Sequence, residues 1–182
     1  YGYDDTLEQF MTQDSYLGPW DGSGKPASYA EVDQYWPQFN NTFYVVFKPE
    51  QEAEVMEIIG PELADKISMW QLVAQGAQEI VEENPNDAFA WFNLGTALTR
   101  LGELVTEGNA EYYQAAAQAY DKAREIGLPP RMLWYQHRPY IAYDKVGRYQ
   151  DVLDLADATL ETQGGRNVEE TYLYKGHTLA AL

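Results

Sequence analysis

The sequence predicts a mainly α-helical protein, a stack of antiparallel helix hairpins preceded by a small α/β segment of two short strands and one helix. Three observations carry this. Residues 88–123 place Trp91, Leu94, Gly95 and Leu98 on one helical face, and then Ala116, Tyr120 and Ala123 on one face of a second helix. Upstream, Leu63, Ile67, Trp70, Val73, Ala74, Ala77, Ile80 and Val81 recur at helical spacing up to the turn Asn84-Pro85-Asn86-Asp87. By contrast, the text before Pro49 is aromatic and turn-rich, with two strand-like runs.

In chain order, Gln9–Gln13 (QFMTQ) reads as a short strand, followed by a loop through Gly18, Pro19, Gly22, Gly24 and Pro26. Ser28 with Glu31 three residues on forms a capping box for a helix carrying Val32, Tyr35 and Trp36, which Pro37 stops. Thr42–Phe47 (TFYVVF) is β-branched and aromatic throughout and predicts a second strand covered on both faces. Two strands and one helix cannot form a core alone.

Pro49 opens a linking helix with Val55, Ile58 and Ile59 on one face, and Gly60-Pro61 separates it from the next, about two dozen residues long. In the helix after Asp87, a glycine at position 95 costs stability and is explained by close approach of a second helix. Gly102 is expected to close that helix. Small, large, small at Ala116, Tyr120 and Ala123 lets the next helix meet it, the ring filling the gap. Leu128-Pro129-Pro130 breaks the chain, and Met132 opens a helix that Pro139 is expected to kink. Gly164-Gly165 ends the following helix, and a last one runs over 169–182 with Tyr172, Gly176 and Leu179 in register.

The chain has 182 residues and a formal net charge of −17, with 11 acidic against 2 basic residues before Pro61 and 18 against 10 from there on. Acidity throughout argues against nucleic acid or anionic lipid as a partner. No apolar run reaches the roughly 18–20 residues that span a bilayer, so no membrane insertion is expected within this stretch. A hydrophobic content of 45% argues against disorder. With no cysteine, disulfides, thiolate metal sites and a cysteine nucleophile are excluded within these residues. The chain opens at Tyr1 without a methionine, and reads as a piece of a longer protein.

The pattern Trp91, Leu94, Gly95, Leu98 with Ala116, Tyr120, Ala123 resembles the tetratricopeptide repeat, whose arrays form an α-solenoid of helix hairpins. About nine residues more than the family spacing separate Gly102 from Ala116, so Glu103–Glu111 lengthens the loop or the helix ends. On this resemblance residues 50–182 divide into an incomplete repeat 50–87, repeats 88–128 and 129–163, and the first helix of a further one at 167–182. The second repeat, aligned on Gly147, has Tyr143 and Tyr149 in aromatic positions and Val152, Ala156 and Thr159 in place of Ala, aromatic, Ala. The last helix has no partner following it, so its apolar face is either completed by further chain or buried in a contact. The resemblance implies a groove lined by the first helices, with Phe92, Asn93, Thr96, Arg100, His137, Arg138, Ile141, Lys145, Tyr174 and His177 facing it. Aromatics beside a few cations suit an extended protein or peptide ligand and its carboxylates. Neither a cofactor nor a metal is expected: His137 and His177 lack a third ligand, and Asp4, Asp5, Asp14 and Asp21 match no calcium loop.

Residues 1–49, in the order GYDD, strand, Asp14-Ser15, glycine-rich loop, SYAEVDQYW helix and TFYVVF, resemble the C-terminal part of papain-like cysteine peptidases of the bacteriocin-processing type. The resemblance implies a secreted or cell-surface bacterial setting. It also places Asp14 where that family has the carboxylate that orients a catalytic histidine, the histidine and the cysteine lying upstream of Tyr1. Without them Asp14 is chemically idle and serves as a turn cap after a strand. The expected role is a protein- or peptide-binding module attached to a truncated peptidase-like domain and non-catalytic by itself. The alternatives are a part of an active cysteine peptidase that supplies Asp14, and a spacer without a ligand of its own.

Overall fold

A computed structural model describes residues 2–14, 18 and 21–182, and the chain separates into two compact units, Tyr1–Tyr44 and Val45–Leu182. In the first, β1 (Gly2–Asp4), β2 (Gln9–Thr12) and β3 (Lys25–Ser28) form an antiparallel sheet in the order β1-β2-β3, with Phe10 opposite both Tyr3 and Ala27. β2 matches the expected strand. β1 and β3 were not expected, because their residues carry no strand signal of their own. Pro26 is tolerated since β3 is an edge, where a missing N–H costs nothing to the ladder. Ser15, Tyr16 and Pro19 of the expected loop lie outside the described residues.

The helix α1 (Tyr29–Tyr35) starts with the expected capping box: Ser28 Oγ accepts from the Glu31 N–H, and the Ser28 N–H donates to Glu31 Oε2. No residue of these four elements is buried. The expected strand Thr42–Phe47 does not form. The stretch has no ladder partner among the described residues, and Tyr44 and Val46 are 90% and 97% exposed rather than covered. β-propensity is realised only against a neighbouring strand.

The second unit is helical. A 3₁₀ turn at Pro49–Gln51 leads into α2 (Glu52–Ile59), which ends at Gly60 with φ 84°. The long helix expected next is divided at Asp65, giving α3 (Pro61–Ala64) and α4 (Lys66–Glu83). Asp65 adopts extended backbone and accepts from the Ser68 N–H at 2.8 Å, so its carboxylate caps α4. Asp87 caps α5 (Ala88–Leu104) in the same way through the Ala90 N–H.

The hairpin of α5 and α6 (Asn109–Ile126) holds the core. A Cβ added at Gly95 would meet the Tyr120 ring at 2.7 Å, and one at Gly102 would meet the Tyr113 ring at 3.0 Å. Each ring thus lies on bare backbone, seven residues further along one helix and seven earlier on the other. Gly102 is therefore a packing position inside α5 and not its end. The extra residues go mostly into helix, leaving only 105–108 as the connection.

Met132 does not open a helix; Pro130–Trp134 is a 3₁₀ turn, and α7 (Arg138–Lys145) begins with Pro139 in its first turn. Proline there kinks nothing, because the N–H it lacks has no partner in a first turn. α8 (Tyr149–Glu161) buries Val152, Ala156 and Thr159, and α9 (Glu169–Ala181) covers it with Thr171 and Thr178. The other side of α9 stands open: Tyr172, Leu173 and Leu179 are exposed and a Cβ at Gly176 would meet nothing.

Consecutive hairpins are joined by an ion network around Tyr143. Its hydroxyl donates to Asp121 Oδ1 at 2.8 Å. Arg148 grips Asp121 in a fork, at 2.6 and 2.9 Å, and also reaches Asp151, which accepts from Arg124 at 2.9 Å. Both guanidinium groups lie over the Tyr143 ring, at 4.6 and 5.7 Å. Burial acts to raise the Asp151 carboxyl, but hydrogen bonds from Arg148 and Arg124 outweigh it and hold the group below its usual range.

Two outcomes follow for stability. Gly95→Ala should cost about 1–3 kcal/mol by overpacking, whereas Gly176→Ala, open to solvent, should gain up to about 1 kcal/mol from helix propensity; urea melts of both variants measure this. Because the folded Asp151 carboxyl is depressed, its contribution is complete above the ordinary value of 3.8 and is lost as pH falls through the folded value. The stability gap between the native chain and Asp151→Asn should therefore be constant near neutrality and close below pH 3.8, as read by melts across that range.

Candidate binding groove

Three helices bring together four of the ten residues expected to face a groove. Arg100 lies one turn before the end of α5, where the helix continues past Gly102. Arg138 is the first residue of α7, His137 is its N-cap, and Tyr174 lies midway along α9. One carboxylate joins the cations. Glu103 Oε2 accepts from Arg100 Nη1 at 3.1 Å and pairs with Arg138 Nη2 at 3.5 Å. Arg100 also sits 5.6 Å above the Trp70 ring of α4.

The aromatic side of the site is stacked. Tyr174 lies against Tyr140 with ring centroids 5.3 Å apart, and His137 is 6.4 Å from Tyr174. Burial first, and then the charges of Glu103 and Glu170, push the Tyr174 phenol up, so the field of Glu103 reaches α9 as well.

The two arginines are incompletely satisfied. Arg100 Nε and Arg138 Nε are buried and have no acceptor among the described residues, and the same holds for His137 Nε2 and Gln136 Nε2. A buried donor without an acceptor is costly.

The remaining expected residues are placed differently. Phe92 is buried at 1% exposure, edge-on to Tyr120 at 5.3 Å, and Thr96 is buried in a hydrogen bond with the Tyr120 hydroxyl. Asn93 is also buried. Ile141 is half-buried, while Lys145 and His177 are exposed on α7 and α9. Phe92 and Thr96 thus serve the packing of α5 on Tyr120 of α6. Glu103 was missed by the reading of the sequence; its only signal was a glutamate three residues after Arg100, the spacing of neighbours on a helix. Asp14 follows β2 in the other unit, and its main-chain carbonyl accepts from the Gly18 N–H at 3.2 Å.

A family model described as the tetratricopeptide repeat matches residues 77–108, the last turns of α4, all of α5 and the connection after it. The match stops just before α6 begins. It includes Arg100 and Glu103, and it does not reach residues 1–49. No curated protein and no solved structure significantly matches the chain.

The Glu103 contacts are partly open to solvent, which limits their worth to about 1 kcal/mol or less. Glu103→Gln should accordingly lower stability by no more than that, with the loss shrinking in high salt. Urea melts at two ionic strengths test this, and a large loss indifferent to salt would make Glu103 a core residue instead.

Proposed function

We propose that residues 50–182 form a protein-binding repeat module whose groove takes an extended peptide segment bearing carboxylates. One observation carries the reading: among the described residues Arg100 and Arg138 share the single carboxylate of Glu103, and both side chains remain partly open to solvent beside it. A guanidinium offers five donors in a fixed fork. A ligand carboxylate entering beside Glu103 meets two such forks, and the His137–Tyr174 surface next to them accommodates an apolar or aromatic neighbour in the peptide. The tetratricopeptide match over α5 supports protein or peptide binding as the class of function.

The chain is acidic overall, so attraction must come from this local pair. Binding then weakens as salt rises. A second reading, in which residues 1–49 belong to a cysteine peptidase and Asp14 orients its histidine, is favoured by the position of Asp14 just after β2. The failure of Thr42–Phe47 to form a strand weighs against it.

An array of extended peptides differing only in the number and spacing of glutamates, probed with the whole chain, tests the proposal. Peptides with two or more glutamates should bind, and the Arg100→Gln, Arg138→Gln double variant should lose about tenfold or more in affinity, the effect of removing charged hydrogen bonds. Equal binding by the double variant would reject the groove as the site.

A further inference from the structure

A cavity of about 210 Å³ opens between α6, the 3₁₀ turn before α7, and α8, apart from the arginine pair of the groove. Its floor is apolar and buried, formed by Phe92, Tyr120, Leu133 and Leu155. These side chains cannot easily collapse inward. Tyr120 is fixed by Gly95 and Thr96, Phe92 meets it edge-on, and Pro130 and Pro139 stiffen the wall. An apolar cavity of about 150 Å³ is already large enough to take benzene.

The rim carries one charge of each sign. Arg124 on α6 and Asp154 on α8 both line the opening, and Ala158, one turn beyond Asp154, leaves it unobstructed. Each keeps hydrogen-bonding capacity beyond its present partners: among the described residues, Asp151 and Tyr143 engage only Nη1 of Arg124, and Asp154 accepts only the Gln150 amide, at 2.8 Å on Oδ1. A site with an apolar floor and two opposite charges at its mouth is complementary to an amphiphile with both charges next to one apolar group.

We propose that this cavity binds a free amino acid with an aromatic or branched aliphatic side chain. The side chain fills the floor, the carboxylate pairs with Arg124, and the ammonium pairs with Asp154. This is a site separate from the peptide groove and does not depend on that reading.

Calorimetric titration of the whole chain with L-phenylalanine, phenylacetate, phenethylamine and toluene tests it. L-Phenylalanine should bind once per chain and at least about tenfold more tightly than the two ligands with a single charge, the effect of one charged hydrogen bond. Asp154→Asn should weaken L-phenylalanine about tenfold and leave phenylacetate unchanged. Ala158→Trp, at an exposed position, should abolish binding of all four. Equal binding of the four ligands, no saturable binding of L-phenylalanine at millimolar concentration, or binding indifferent to Asp154→Asn would each overturn the proposal. If Ala158→Trp does not fold, the Asp154→Asn comparison decides alone.

Discussion

The contact between the Tyr120 ring and the bare backbone of Gly95 is the constraint on which the helical unit depends. It sets how closely α5 and α6 approach, and the Gly102–Tyr113 contact repeats it further along the hairpin. Tyr120 is 1% exposed, and burial pushes its phenol up, opposed by its hydrogen bonding with Thr96 and Thr99. It stays neutral at any ordinary pH. A neutral, hydrogen-bonded phenol can sit in the core at little cost. From it the packing extends to Phe92 on one side and Tyr143 on the other, and so to α7 and α8.

The arginines of this acidic chain fall into two groups. Arg124 and Arg148 are held by Asp121 and Asp151 over the Tyr143 ring and lock one hairpin to the next. Among the described residues, Arg100 and Arg138 share Glu103. The first group joins consecutive hairpins, and the second gathers on one carboxylate between α5 and α7. Where helix ends are concerned the chain relies on local caps: Ser28, Asp65 and Asp87 each satisfy a first-turn N–H.

Much of the fold was legible because it rests on local pattern. Gly95 and Ala116-Tyr120-Ala123 announced the hairpin, Ser28 and Glu31 announced α1, and Pro49 marked the start of the helical unit. What failed depended on partners or on position along a helix. Thr42–Phe47 has every local preference of a strand and, among the described residues, no neighbour to pair with; β1 and β3 have weak preferences and pair with β2. Pro139 would kink a helix from within, but the helix begins at Arg138. Of the residues that register assigned to a groove, the structure brings Arg100, His137, Arg138 and Tyr174 near one another. Phe92 and Thr96 pack instead on Tyr120 of α6, and Glu103 gave no clear signal because local pattern left open whether the inserted residues lengthen the loop or the helix ends.

The most direct measurement is the NMR signal of the arginine Nε–H groups while hexaglutamate is titrated into the labelled chain. The Arg100 and Arg138 signals should move together and saturably, since these guanidinium groups gain an acceptor, while that of Arg148, whose Nε already donates to Asp151, stays in place. Movement of Arg148 instead, or no movement of Arg100 and Arg138 under conditions where the peptide binds, would contradict binding beside Glu103.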